Sequence, residues 1–213
     1  MMVQCPSCAR QQEPRLTCEN CGAPLAVELD CFSALGLPKK LTIDRNSLEQ
    51  MYHDLGRRIH PDRFATSPAK VRDASLRATA LLTRSYRTLG DPVSRGLYWL
   101  ELHGEKLAEN NKQVPPELAE LVFEVQEQLA DLRGAGGDAA VELKGEVENR
   151  RRDLSLAMDE LRERLAHNFA RWDAGDGARQ ELTAELKSIL SRIAYLRTLL
   201  RDVDRELENL KAA

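Results

Sequence analysis

Aromatic residues make up only 5% of this 213-residue chain, and glycine and proline are sparse as well, at 12 and 9. That scarcity argues against an all-β protein, whose strands and tight turns consume these residue types, and favours a helical one. No stretch approaches the ~20 consecutive apolar residues of a membrane span. The first residues show neither the basic region nor the apolar run of a secretory signal, so a soluble cytoplasmic protein is expected. A large net charge is also missing. At −3 overall, no global field draws the chain to nucleic acid or to an acidic membrane, and any charge-led recognition must come from local segregation. What is present is a 42% hydrophobic content and 31% charged residues, enough for one or two helical domains with a real core and an appendage.

The appendage announces itself through cysteine. Four of the five cysteines fall in "CPSCARQQEPRLTCENCGAP", as two C-x2-C pairs. Two such knuckles bring four thiolates to one point, the ligand set of a tetrahedral structural zinc. Cys5, Cys8, Cys18 and Cys21 are the candidate ligands. Gly22, directly after Cys21, suits a knuckle turn that needs positive φ. So short a segment has no hydrophobic core, and the metal would supply most of its folding free energy. Four thiolates leave no open position for catalysis. Iron fits the same ligands, and two disulfides are the alternative outcome, one that a reducing compartment disfavours. Cys31 reads as a small core residue.

From residue 31 onward the pattern is helical. "CFSALGL" is a short apolar turn closed by Gly36 and Pro38. Leu48, Met51, Tyr52, Leu55 and Ile59 recur at helical spacing behind a cap at Asp44 or Asn46. His60-Pro61 should end that helix, because the residue before proline is pushed out of the α region. A second helix is expected from about 69 to 89 with Val71, Ala74, Ala78, Leu82 and Tyr86 inward, and a shorter one ends at Gly104. "HPD" at 60–62 therefore falls in a loop between two antiparallel helices. A catalytic reading needs a nucleophile or third group in reach. Residues flanking a proline are expected to point their side chains apart, and no serine elbow, HExxH or phosphate loop accompanies them. Residues 57–95 carry eight Arg and one Lys against three Asp, a net of +6. A basic surface beside an exposed loop points to an acidic protein partner.

These residues resemble a J-domain. "YHDLGRRIHPDRF" gives the basic helix end and the tripeptide. Tyr86, Leu89, Asp91, Pro92, Arg95 and Tyr98 match the family's "Y-x-x-L-x-D-P-x-x-R-x-x-Y" pattern. The resemblance implies a non-enzymatic protein that stimulates ATP hydrolysis by a DnaK-class chaperone. It makes His60, Pro61 and Asp62 the trigger and Arg57 and Arg58 the electrostatic docking residues.

Beyond a linker at 105–116, helical sequence fills the chain, broken only at "GAGGD" and "AGDG". Three helices with short connections predict an antiparallel bundle over 117–213. In the first, Leu118, Leu121, Val122, Val125, Leu129 and Leu132 form the core stripe. Glu117, Glu120, Glu124, Glu127 and Asp131 form an acidic row with no basic residue in that helix to relieve it, and Phe123 lies beside it. An apolar aromatic beside an acidic row is a candidate binding face. In the last helix Leu182, Leu186, Ile189, Ile193, Leu196, Leu200 and Val203 face inward and Tyr195 points elsewhere.

The order of parts, residues 1–28 with the cysteines, 29–104 as J-domain and 117–213 as bundle, resembles the HscB family of J-type co-chaperones of iron–sulfur cluster assembly. "CFSALGLP" and "IAYLRTLL" fit it. The resemblance implies that the bundle binds an IscU-type scaffold and the J-domain an HscA/DnaK-class ATPase. By position, the scaffold face is Ala119, Glu120, Phe123, Glu124, Glu127, Asp131 and Tyr195. A register one residue away would present Leu118 and Leu121 in place of Ala119 and Glu120. The rival class is a zinc-ribbon nucleic-acid-binding protein. Around the knuckles only Arg10 and Arg15 are basic, too few for a phosphate footprint. A J-protein with another client is the second alternative.

Overall fold

The protein is described as a computed structural model over residues 2–107 and 116–212. It is mainly α-helical and divides into two compact units, Met1–Trp99 and Leu100–Ala213. Most of the sequence-predicted linker at 105–116 lies outside the described residues.

The first unit opens with two small hairpins. β1 (Val3–Gln4) pairs antiparallel with β2 (Gln11–Gln12), Val3 opposite Gln12, and a single bridge joins Thr17 to Pro24. The apolar content here is slight: Cys5, Cys18, Ala23 and Leu25 cluster with the partly buried Val3 and Val27. Helices follow. In α1 (Cys31–Leu35), the Asp30 carboxylate accepts the Ser33 N–H at 2.9 Å, and Gly36 closes the helix at φ 68°. α2 (Arg45–Ile59) is capped by Asp44, which accepts the Ser47 N–H at 2.8 Å. Of the two candidate caps, Asp44 is therefore the one used; an N-cap carboxylate satisfies one of the helix's unpaired N–H groups.

α3 (Ala69–Gly90) packs across α1 and α2, burying Val71, Ala74, Ala78, Leu82 and Leu89. Tyr86, expected inward, is only partly buried. Its ring stacks on Tyr52 of α2 at 4.2 Å between centroids, at the edge of the interface. α4 (Pro92–Leu102) brings Trp99 edge-on to the fully buried Phe32, 5.9 Å between centroids. The Tyr98 hydroxyl accepts the Cys31 N–H at 2.9 Å, and burial pushes its phenol pKa up to about 12. Arg95 is 7% exposed, and its guanidinium donates to the carbonyls of Leu89 (2.8 Å) and Leu41 (2.6 Å). It thus caps the end of α3 and ties down the loop before α2. A residue counted in the basic surface belongs to the interior, where buried carbonyls need a donor.

The second unit contains α5 (Pro116–Gly134), α6 (Gly137–Ala174) and α7 (Arg179–Ala212), with α6 packed along α7 and α5 against both. Leu118, Val125, Leu129 and Leu132 of α5 are buried; Leu121 and Val122 are half-buried. On α7 the expected stripe is buried except for the half-buried Leu200, and Leu190, Leu199 and Leu207 join it. Ion pairs link the helices around this core: Arg133 to Glu206 at 2.7 Å, Arg171 to Glu185 at 2.9 Å, and Arg151 to Asp204.

Candidate functional site

Three groups of predicted residues can be followed into the structure. The first is the turn after α2. Pro61 ends that helix and starts a single 3-10 turn, Pro61–Phe64, so Asp62 lies in an ordered turn rather than an open loop. His60 is both the last cap of α2 and the N-cap of this turn, its Nδ1 accepting the Asp62 N–H at 3.3 Å. That bond folds the ring back over the turn. It places Nδ1 3.5 Å from the Asp62 carboxylate, correcting the expectation that the two side chains diverge. The two side chains stop short of the bond that a dyad makes. The separation is too long for a hydrogen bond, and both side chains are open to solvent, 56% and 91% exposed.

The turn is fastened from behind. A helix leaves its last carbonyls without intrahelical partners. The Ile59 carbonyl is met by the Ser75 hydroxyl of α3 at 2.6 Å, with the Thr79 hydroxyl at 3.5 Å. The Arg63 guanidinium donates to the Arg57 carbonyl at 3.0 Å, and the Arg63 N–H to the His60 carbonyl at 3.0 Å. Arg57 and Arg58 stand exposed in the last turn of α2, where cations complement the helix dipole. Arg57 also reaches Asp54 one turn back. Ser75 and Arg63 were missed in the sequence. Ser75 carries no local signal, whereas Arg63, directly after the tripeptide, could have been found as a basic residue at a helix end.

The second group is the cysteines. The Sγ atoms of Cys5, Cys8, Cys18 and Cys21 all lie within 4.8 Å of one another. Each knuckle folds alike. Cys5 N–H donates to Arg10 O and Ala9 N–H to Cys5 O; Cys18 N–H donates to Ala23 O and Gly22 N–H to Cys18 O. Gly22 takes φ 72° as expected, and Ala9 takes the corresponding left-handed place at φ 60°. All four are free thiols, with Cys5–Cys21 at 3.6 Å and Cys8–Cys18 at 3.7 Å. Four thiolates at about 2.3 Å from a tetrahedral metal would stand about 3.8 Å apart, so the donor set fits one metal ion. The thiols are also unequal. Burial pushes Cys5 up to about 11, while the Arg10 backbone N–H, followed by the Asn20 side chain, brings Cys8 down to about 6.

The third group is on α5. Ala119, Glu120, Phe123, Glu127 and Asp131 are exposed, Phe123 at 69%. Leu118 is buried and Leu121 half-buried, so the outward register is that of Ala119 and Glu120. Glu124 is half-buried. Its carboxylate receives Arg150 of α6 at 3.2 Å, and Arg150 also donates to Gln128 at 3.1 Å. Relief of the acidic row thus comes from the neighbouring helix, which the pattern of one helix alone does not reveal. Glu117 falls outside the described side chains. Tyr195 is half-buried on α7.

A basic helix end, an exposed His-Pro-Asp turn and a second helix that locks both are the features of a J-type co-chaperone. No protein-family model matches the chain. A curated relative, the co-chaperone protein HscB homolog of Ralstonia nicotianae, is 34% identical over 130 residues, covering 58% of this chain and 74% of its own. Two solved structures share the fold. The human co-chaperone protein HscB matches at TM-score 0.66 and 24% identity, over 96% of this chain and 98% of its own. Chaperone HscB from Vibrio cholerae matches at 0.63 and 22%, over 85% and 99%. The chain belongs to the HscB co-chaperone family.

Proposed function

We propose that the protein serves iron–sulfur cluster assembly by bringing an IscU-type scaffold to an HscA/DnaK-class ATPase and stimulating that ATPase. The observation that carries this reading is the exposed His-Pro-Asp turn, braced by Ser75 and Arg63 and flanked by Arg57 and Arg58. The ring and carboxylate are held near each other by backbone, open to solvent, and suited to act on a partner. Docking starts electrostatically, as the α2 cations meet acidic surface on the ATPase. The scaffold binds on α5, where Phe123 supplies an apolar anchor among Glu120, Glu127 and Asp131. Tyr195 and Glu124 complete that face, with Arg150 orienting the latter. The cysteine centre holds a structural zinc that folds the N-terminal hairpins. The protein works in the cytoplasm.

Single-turnover ATP hydrolysis by the chaperone, with wild type and His60→Gln, tests the reading. Wild type should accelerate turnover and the variant should leave it at the basal rate. No acceleration by wild type, or equal acceleration by both, refutes it.

A further inference from the structure

A cleft of about 340 Å³ separates the cysteine hairpins from the turn after α2. Ser7, Cys21 and Gly22 line one wall; Arg58, Arg63 and Phe64 line the other, and among the described residues no Asp or Glu lines either. Four thiolates around a divalent ion carry two net negative charges, and Arg58 and Arg63 are the cationic residues of the opposite wall. Arg63 is placed to pass this on, because its backbone binds the first residue of the tripeptide and its side chain the last turn of α2, at the carbonyls of His60 and Arg57.

The hairpin wall also depends on the metal. Its apolar cluster consists of Cys5, Cys18, Ala23 and Leu25 with Val3 and Val27, and two of the six are ligands. Such a segment folds through its metal, so metal loss removes one side of the cleft.

We infer that Arg58 and Arg63 couple the cysteine centre to the His-Pro-Asp turn: metal in the centre orders the turn, and the two cations in return tighten metal binding. The inference rests on the proposed reading of the four cysteines as a metal centre. Linkage requires the coupling to run both ways with one factor, which makes it testable from either end without any ATPase.

The first measurement is the zinc and iron content of the purified full chain, before and after incubation with zinc; a chain that takes up neither metal refutes the metal centre itself. With zinc bound, hydrogen exchange is followed by mass spectrometry before and after chelation. Exchange over residues 3–25 rises under any reading. The coupling predicts that it also rises over 59–68, where the amides of Arg63, Ala65 and Ser67 are bonded within the turn. In parallel, competition with a chromophoric chelator gives the zinc affinity of Arg58→Ala, Arg63→Ala and the double variant. The double variant should bind zinc about five-fold or more weakly, the lower range of an allosteric coupling. Arg58→Ala alters an exposed side chain and keeps the affinity test valid if Arg63→Ala disturbs the turn; it should weaken binding on its own. Exchange confined to 3–25, or unchanged zinc affinity in Arg58→Ala, overturns the coupling while leaving the metal centre intact.

Discussion

Replacing Ser75 by alanine isolates the bond that holds the end of α2. Ser75 is fully buried and its hydroxyl lies 2.6 Å from the Ile59 carbonyl; the alternative donor, Thr79, is at 3.5 Å. Removing the hydroxyl leaves a buried acceptor with a poor partner, a loss of about 1–3 kcal/mol. Alanine's higher helix propensity returns about 0.5 kcal/mol, so the net destabilisation should be about 0.5–2.5 kcal/mol. With a urea m-value of about 1 kcal/mol/M for a unit of this size, the midpoint should fall by about 0.5–2.5 M. The chain's two tryptophans, Trp99 and Trp172, lie in different units. Fluorescence of Trp99 in a Trp172→Phe background therefore reports the first unit. Thr79→Val should cost more in the Ser75→Ala background than alone, because only there does Thr79 carry the carbonyl. A midpoint shift below about 0.3 M, with strictly additive variants, would refute the view that Ser75 anchors the turn.

Ala9→Gly should tighten zinc binding. Relief of roughly 1–2 kcal/mol of left-handed strain is offset by about 0.5–1 kcal/mol from a freer unfolded chain, leaving a gain of up to about ten-fold by chelator competition; weaker binding contradicts it. For Asp30, burial would raise the carboxyl pKa, but the Ser33 N–H, the Ser33 hydroxyl and Lys39 outweigh it and hold the pKa low. Its stabilisation is therefore complete above the unfolded value of about 3.9 and is lost as pH falls through the folded value. Asp30→Ala should cost about 1 kcal/mol at pH 7, with a smaller gap at pH 3, and Asp30→Asn should keep the cap but lose that pH dependence; thermal melts showing a constant gap would contradict this. Phe123→Ala should leave stability within about 0.5 kcal/mol yet weaken scaffold binding about ten-fold or more, measured by calorimetry; unchanged affinity moves the binding face elsewhere.

Elements with local signals were legible in the sequence. Asp44 capping α2, the stop at His60-Pro61, Gly22 in its knuckle and the two breaks in the bundle all follow from residues adjacent to the feature. What escaped was long-range. Ser75 meets Ile59, Arg95 meets Leu41, and Arg150 meets Glu124 only after helices pack. Tyr86 sits at the right helical angle for burial but falls where the interface with α2 ends. The His60–Asp62 approach was misjudged for a different reason. Divergence of side chains around a proline presumes an extended chain, and the 3-10 turn with its capping bond brings the two together.

Arg95 has a practical consequence for anyone sorting variants. It stands in a stretch rich in exposed cations, so a charge-removing substitution there invites interpretation as a recognition defect. Buried against two carbonyls, it would instead lower the amount of folded chain, since losses of about 1–2 kcal/mol already change cellular abundance several-fold. The molecules that do fold would retain every exposed cation of α2. A soluble-fraction measurement beside an affinity measurement separates the two kinds of arginine that this sequence presents alike.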